Sequence, residues 1–168
     1  MVLENYKLQK SNNSDSMFAV IRIRGTAQRK RILEETLQLL RLKAVNNCVL
    51  VPETKEYTGM LKKARDYITW GKISKETLIK LLQKRGKAIG NKSINENSLK
   101  EITEFKNFED FSEALVEGKI KLKDYSQIKQ VFKLNPPRHG FKGMKLHYPK
   151  GDLGDRGEKI NEFIERMI

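Results

Sequence analysis

Two histidines, His139 and His147, and one cysteine, Cys48, are the side chains of this 168-residue chain best suited to proton transfer, nucleophilic attack or metal binding. Tetrahedral zinc needs a full set of nitrogen and sulfur ligands, and no such set assembles here by spacing. Cys48 lies in the apolar run Cys48-Val49-Leu50-Val51, which suits a buried, inert thiol. A reactive thiol needs an exposed site that lowers its pKa. Residues 84–90 contain two glycines but lack the strand-to-helix setting of a phosphate-binding loop, and no dinucleotide fingerprint is present. Residues 151–157 resemble a tight backbone turn, since a calcium loop needs more ligands and a terminal bidentate Glu. Nothing marks a Ser-His-Asp or Cys-His arrangement. The expectation is no catalytic residue, no metal, no cofactor and no small-molecule substrate.

A different chemistry is concentrated in Leu134-Asn135-Pro136-Pro137-Arg138-His139-Gly140-Phe141-Lys142-Gly143-Met144-Lys145. Two prolines stiffen the backbone, and Gly140 and Gly143 permit close approach to another chain. Arg138, Lys142 and Lys145 offer phosphate partners, the arginine in bidentate geometry. His139 and Phe141 are suited to stacking on unpaired bases. Two readings fit this composition: a loop built to enter folded RNA, and an ordinary surface loop with a core-anchoring Phe.

The charge balance favours a polyanionic partner. Lys and Arg number 34 against 21 Asp and Glu, a net charge of +13, which opposes compaction and marks a nucleic-acid footprint. The excess is uneven. Residues 101–118 carry one basic and six acidic groups, so they are poor candidates for RNA contact. One cysteine permits no disulfide framework, no stretch approaches the 18 or so apolar residues of a membrane span, and residues 1–16 show no signal-peptide core. A cytosolic location without membrane contact is therefore expected.

The elements that must position these groups follow from periodicity. Residues 1–16 form a turn-rich lead-in. Residues 17–24 read as a strand in which Arg22 and Arg24 alternate with Ile21 and Ile23, giving one apolar and one basic face. Residues 28–42 fit an amphipathic helix with Leu33, Leu37 and Leu40 inward, Ile32 and Leu39 beside them, and Lys30 outward. Residues 48–51 read as a buried strand. Residues 54–66 fit a second helix with Lys62, Lys63 and Arg65 on its exposed side, and residues 67–73 a third strand. This β-α-β-α-β order over 17–74 predicts an α+β fold in two layers. Ser74 is a suitable N-cap for a helix over 74–86. Lys84, Arg85 and Lys87 at its end serve equally as a C-terminal cap or as RNA contacts. A helical addition spans 75–130, with 88–100 as a polar loop and an acidic helix near 108–117 whose carboxylates face water. Residues 131–168 supply a short strand at 131–134, the Pro/Gly-rich loop, and a terminal helix with Ile160, Phe163, Ile164 and Met167 facing inward.

Four stretches together resemble a known family. They are Ala19-Val20-Ile21-Arg22-Ile23-Arg24-Gly25; Asn46-Asn47-Cys48-Val49-Leu50-Val51-Pro52-Glu53-Thr54; Tyr57-Thr58-Gly59-Met60 with Tyr67-Ile68-Thr69-Trp70-Gly71-Lys72-Ile73; and the Pro-Pro-Arg loop with Lys150-Gly151-Asp152-Leu153-Gly154. In this order, over 17–167, they resemble the L-thirty family of large-subunit ribosomal proteins in its archaeal and eukaryotic form. The resemblance implies a ferredoxin-like core with a three-stranded antiparallel sheet and a helical C-terminal addition. It also implies binding to large-subunit rRNA beside neighbouring ribosomal proteins, without catalysis. Two departures stand out. His139 occupies the first glycine position of the family's Pro-Pro-Arg-Gly-Gly-Phe loop, and the short neutral segment 1–16 points to the archaeal type. The residues expected to meet RNA are Arg22, Arg24, Lys30, Lys62, Lys63, Arg65, Lys84, Arg85, Lys87, Arg138, His139, Phe141, Lys142 and Lys145. A DNA-compacting protein shares the charge but has no need of a rigid loop. An RNA-modifying or RNA-cleaving enzyme would need a converging acid–base pair.

Overall fold

Strand β1 (Met17–Arg22) is the centre of the molecule because both of its faces are apolar. Phe18 and Val20 point into one core, Ala19 and Ile21 into another, with Ile23 continuing the second row. The computed structural model describes residues 16–25 and 31–168, so Lys30 and most of the lead-in lie outside the described residues. After β1 come α1 (Arg31–Leu39), β2 (Asn47–Pro52), α2 (Lys55–Ala64), β3 (Ile68–Lys72), α3 (Lys75–Arg85), α4 (Glu96–Ile102), α5 (Phe108–Val116), β4 (Val131–Lys133), β5 (Gly154–Asp155) and α6 (Ile160–Glu165).

The fold is α+β. The three-stranded antiparallel core is present as β2-β1-β3, with Val20 opposite Val49 on one side and Trp70 on the other. Two strands extend it among the described residues, giving the order β4-β2-β1-β3-β5. β4 pairs antiparallel with β2, and the two-residue β5 runs parallel to β3. The order of helices and strands follows the hydrophobic pattern closely. Ser74 caps α3 by accepting from the Thr77 N–H, and Thr54 does the same for α2 with Tyr57.

Helices cover both faces of the sheet, so the two layers expected from the sequence are three. On one face Leu37, Leu40 and Leu42 from and after α1, with Leu61 and Ala64 of α2, pack on Phe18, Val20, Val49, Val51 and Trp70. On the other, Leu78, Leu81 and Leu82 of α3, Phe111 and Leu115 of α5 and the inward row of α6 pack on Ala19, Ile21, Cys48 and Phe132. Each fully buried Val, Leu, Ile or Phe in these layers contributes about 1.5–3 kcal/mol relative to exposure. Ile160, Phe163, Ile164 and Met167 are all buried, as their spacing predicts. Two expectations need correction. Ile32 and Leu39, placed beside the stripe of α1, are 71% and 75% exposed, because the stripe is narrower than the helix's apolar content. The segment 88–100, expected as a polar loop, contains the first five residues of α4, whose Leu99 is buried and whose Ile102 packs partly on the same core.

The third layer meets the sheet at unusually close range at Gly71. A Cβ there would lie 2.0 Å from the Gly157 carbonyl oxygen and 2.9 Å from the Ile160 Cβ. Backbone cannot swing aside as a long side chain does, so Gly71→Ala is expected to cost about 1–3 kcal/mol. The measurement is urea unfolding: the midpoint should fall with m unchanged. A midpoint equal to wild type would mean that the turn at residue 157 does not rest on β3.

Candidate nucleic-acid interface

The loop between β4 and α6 is held by its backbone, which leaves its cationic side chains outward. Its first half is fixed by the end of the chain. The Asn135 and Arg138 N–H groups donate to the Met167 and Arg166 carbonyls, both at 2.9 Å. The Arg166 guanidinium donates back to the Arg138 carbonyl at 2.7 and 3.0 Å and to the Gly140 carbonyl at 2.8 Å. Pro137 is buried, whereas Arg138, His139, Lys142 and Lys145 are exposed. His139 has φ +66° and Gly140 φ +71°. The position that carries Gly in the family motif thus takes a left-handed conformation here, one that His tolerates better than most residues.

The second half is fixed to β3 through Asp152 and Arg156. Asp152 accepts from the Gly143 N–H at 2.8 Å, and its own N–H donates to the Gly143 carbonyl at 2.9 Å. Its carboxylate pairs with the Arg156 guanidinium, and both side chains are nearly buried, 4% and 8% exposed. Arg156 Nε also donates to Thr69 Oγ1 at 3.0 Å, and Thr69 Oγ1 donates to the Gly154 carbonyl at 2.9 Å. The guanidinium lies 4.1 Å from the Phe163 ring centroid and 5.4 Å from that of Tyr148. Gly151 lets the chain fold back on itself, since a Cβ there would lie 2.2 Å from the Leu146 carbonyl oxygen.

One group of cations joins this loop. His147 Nε2 lies 3.0 Å from Asp66 Oδ1, and Arg65 Nε lies 3.7 Å from the same oxygen. Arg24 donates to the Asp66 carbonyl at 3.2 Å and sits 5.0 Å from the centroid of the Tyr67 ring. Lys62 and Lys63 are exposed in the last turn of α2, just before Arg65. Arg24, Arg65, the end of α2 and the loop therefore share one end of the sheet. Lys84, Arg85 and Lys87 belong to the end of α3, on the opposite face of the sheet. Lys84 and Lys87 are exposed there and Arg85 is half-buried.

Two expected contact residues are otherwise engaged. Arg22 is buried at 1% exposure, donating to the Leu42 and Lys43 carbonyls at 2.9 and 2.6 Å and to the Arg24 carbonyl at 2.9 Å. The basic face expected for β1 does not exist at Arg22, because β1 is covered on both sides. Phe141 is half-buried, its ring centroid 6.3 Å from that of Phe163. It anchors the loop to the core.

Sequence reasoning passed over Arg166, Asp152, Arg156 and Tyr148. Only Asp152 and Arg156 left a trace, a charged pair four apart among glycines where a helix pair has no place. The carboxylates of α5 are also more than solvated: Glu113 pairs with Lys75, and that contact lowers the Glu113 pKa from its ordinary value. Burial pushes the Cys48 thiol up to about 12, so thiolate chemistry is suppressed there. Among the described residues no group of three His, Cys, Asp or Glu side chains is placed to hold a metal ion. No helix of the described residues is long and apolar enough to cross a membrane.

Known proteins with similar sequences agree on one family. The family model described as ribosomal protein L30p/L7e matches residues 18–68, from β1 to the start of β3. Large ribosomal subunit protein uL30 of Archaeoglobus fulgidus is 46% identical over 151 residues, covering 90% of this chain and 99% of that protein. The proteins of the same name from Methanocorpusculum labreanum and Methanococcus maripaludis are 41% and 44% identical, each over 90% of this chain and 99% of their own. Similarity of this extent reaches well past the β-α-β-α-β core, and the chain belongs to the L30p/L7e family of ribosomal proteins.

Proposed function

We propose that this chain is a structural constituent of the large ribosomal subunit, of archaeal type, that binds folded large-subunit rRNA and stabilises its shape. Neighbouring large-subunit proteins are its other partners, and catalysis is no part of the role. The observation that carries the reading is the braced loop: Arg138, His139, Lys142 and Lys145 emerge from backbone already tied to β3 and α6. A charged group on fixed backbone loses less conformational entropy when it meets a phosphate than one on a loop that must first be ordered. Arg24, Lys62, Lys63 and Arg65 extend the cationic surface at the same end, and Lys84, Arg85 and Lys87 offer a second one. Lys30, outside the described residues, remains in the set. Phosphate contacts release counterions, so affinity falls steeply with salt. A-form RNA presents its backbone and 2′-hydroxyls more readily than its base edges, so the shape of folded rRNA is what such a surface recognises.

The test is Arg138→Ala with Lys142→Ala. Arg138 acts through its side chain while its backbone does the bracing, so the double variant should unfold at the wild-type midpoint. Filter binding to large-subunit rRNA should show affinity lowered on the order of tenfold. The slope of log K against log salt should be shallower by about two contacts. Wild-type affinity and slope would remove the loop from the interface.

A further inference from the structure

We propose that Tyr148 is a stacking site for an unpaired RNA base, a role for which the sequence offered His139 and Phe141. The proposal rests on the reading of the chain as an rRNA-binding protein. Phe141 is committed to Phe163 in the core, whereas Tyr148 is 38% exposed at the tip of the braced loop. Two rings share one cation there: the Arg156 guanidinium lies 4.1 Å from the centroid of the buried Phe163 ring and 5.4 Å from that of Tyr148. Arg156 is tied to both Asp152 and Thr69, which limits its movement. A cation stacked against an aromatic ring fixes that ring's orientation. A ring presented in one orientation binds a flat partner at lower entropic cost than a free one.

The surroundings fit a nucleotide. Lys142 Nζ donates to the Pro149 carbonyl at 3.2 Å, which places an ammonium group beside the residue that follows Tyr148. Lys150 is exposed in the turn that begins at Tyr148, and Lys145 is exposed in the turn before it. Met144 and Leu146, 41% and 56% exposed, provide apolar surface for a ribose or base edge. An aromatic face among cations and short apolar side chains is the pattern by which proteins hold single-stranded bases. Each base contributes by its π face, so the site would select for an unpaired base and only weakly among the four.

The experiment compares Tyr148→Phe, Tyr148→Leu and Tyr148→Ala, with large-subunit rRNA and purified full-length chain. Tyr148→Leu keeps apolar packing on Arg156 but has no π face. The expected result is affinity within about twofold of wild type for Phe. For Leu and Ala it should fall roughly tenfold or more at every salt concentration, with the salt slope unchanged, since no phosphate contact is lost. Ultraviolet crosslinking of the wild-type complex should place a nucleotide adduct on Tyr148. Wild-type affinity in Tyr148→Leu, or adducts on Phe141 and none on Tyr148, would overturn the proposal. A shallower salt slope in Tyr148→Leu would assign the loss to displaced lysines and overturn it equally. Absence of rRNA binding by the wild-type chain is a distinct result, and would sink the underlying reading as well.

Discussion

Arg156→Ala should lower the stability of this protein by about 3–5 kcal/mol, the cost of leaving a buried charge without its partner. Asp152 is 3% exposed, and among the described residues its carboxylate would keep the Gly143 N–H alone as a close donor. The variant also removes the link to Thr69 and the cation that both Phe163 and Tyr148 contact. With a typical total of about 5–15 kcal/mol, the chain should still fold, but with its loop released. Trypsin cleavage after Lys142 and Lys145 should accelerate well beyond the change in global unfolding, because the loop opens locally. Affinity for rRNA should fall although neither atom of the pair is placed against RNA. Asp152→Asn combined with Arg156→Met should recover part of the lost stability, since no charge then remains buried. Equal cleavage rates in wild type and Arg156→Ala would mean that the pair does not hold the loop.

That bracing was the least legible part of the sequence, and the reason is physical. Elements whose apolar faces repeat locally were visible: β1, β2 and β3, α2 and α3, and the four inward positions of α6. Elements created by distant partners were not. β5 is two residues long and exists because Thr69 and Trp70 offer an edge for pairing. α4 has few apolar residues and forms over Leu99. The same distinction governs the candidate interface. Arg138, His139, Lys142 and Lys145 are exposed as a polar loop predicts. Phe141 was open to two readings by composition, and Phe163, more than twenty positions away, decides for the core. Arg166 could not be connected with the loop at all before the chain end was seen to return beside Arg138. Alternation along β1 correctly separates Arg22 from Ile21 and Ile23, yet it does not report that helices lie on both faces.

Arg22 is where those two kinds of information give opposite experimental results. If it presented a charge to RNA, Arg22→Ala would leave stability nearly unchanged and weaken binding. The structure predicts the reverse. The guanidinium occupies a fully buried position, and its donors serve the carbonyls of Arg24, Leu42 and Lys43. Leu42 and Lys43 belong to the connection between α1 and β2, so the side chain joins that connection to the end of β1. Truncation removes a long buried stem and leaves acceptors short of donors, together about 3–5 kcal/mol. Folded Arg22→Ala, measured well below its unfolding midpoint, should bind rRNA with near wild-type affinity and the same salt slope. Arg24→Ala is the counterpart two residues away. Arg24 is half-buried, with its guanidinium 5.0 Å from the Tyr67 ring centroid, so the variant should lose about 0.5–1 kcal/mol of stability. The salt slope should drop by about one phosphate contact. Thermal or urea unfolding and filter binding on this pair separate the cation that holds the scaffold from the cation that meets the polyanion. A lowered salt slope in Arg22→Ala with stability intact would return Arg22 to the interface.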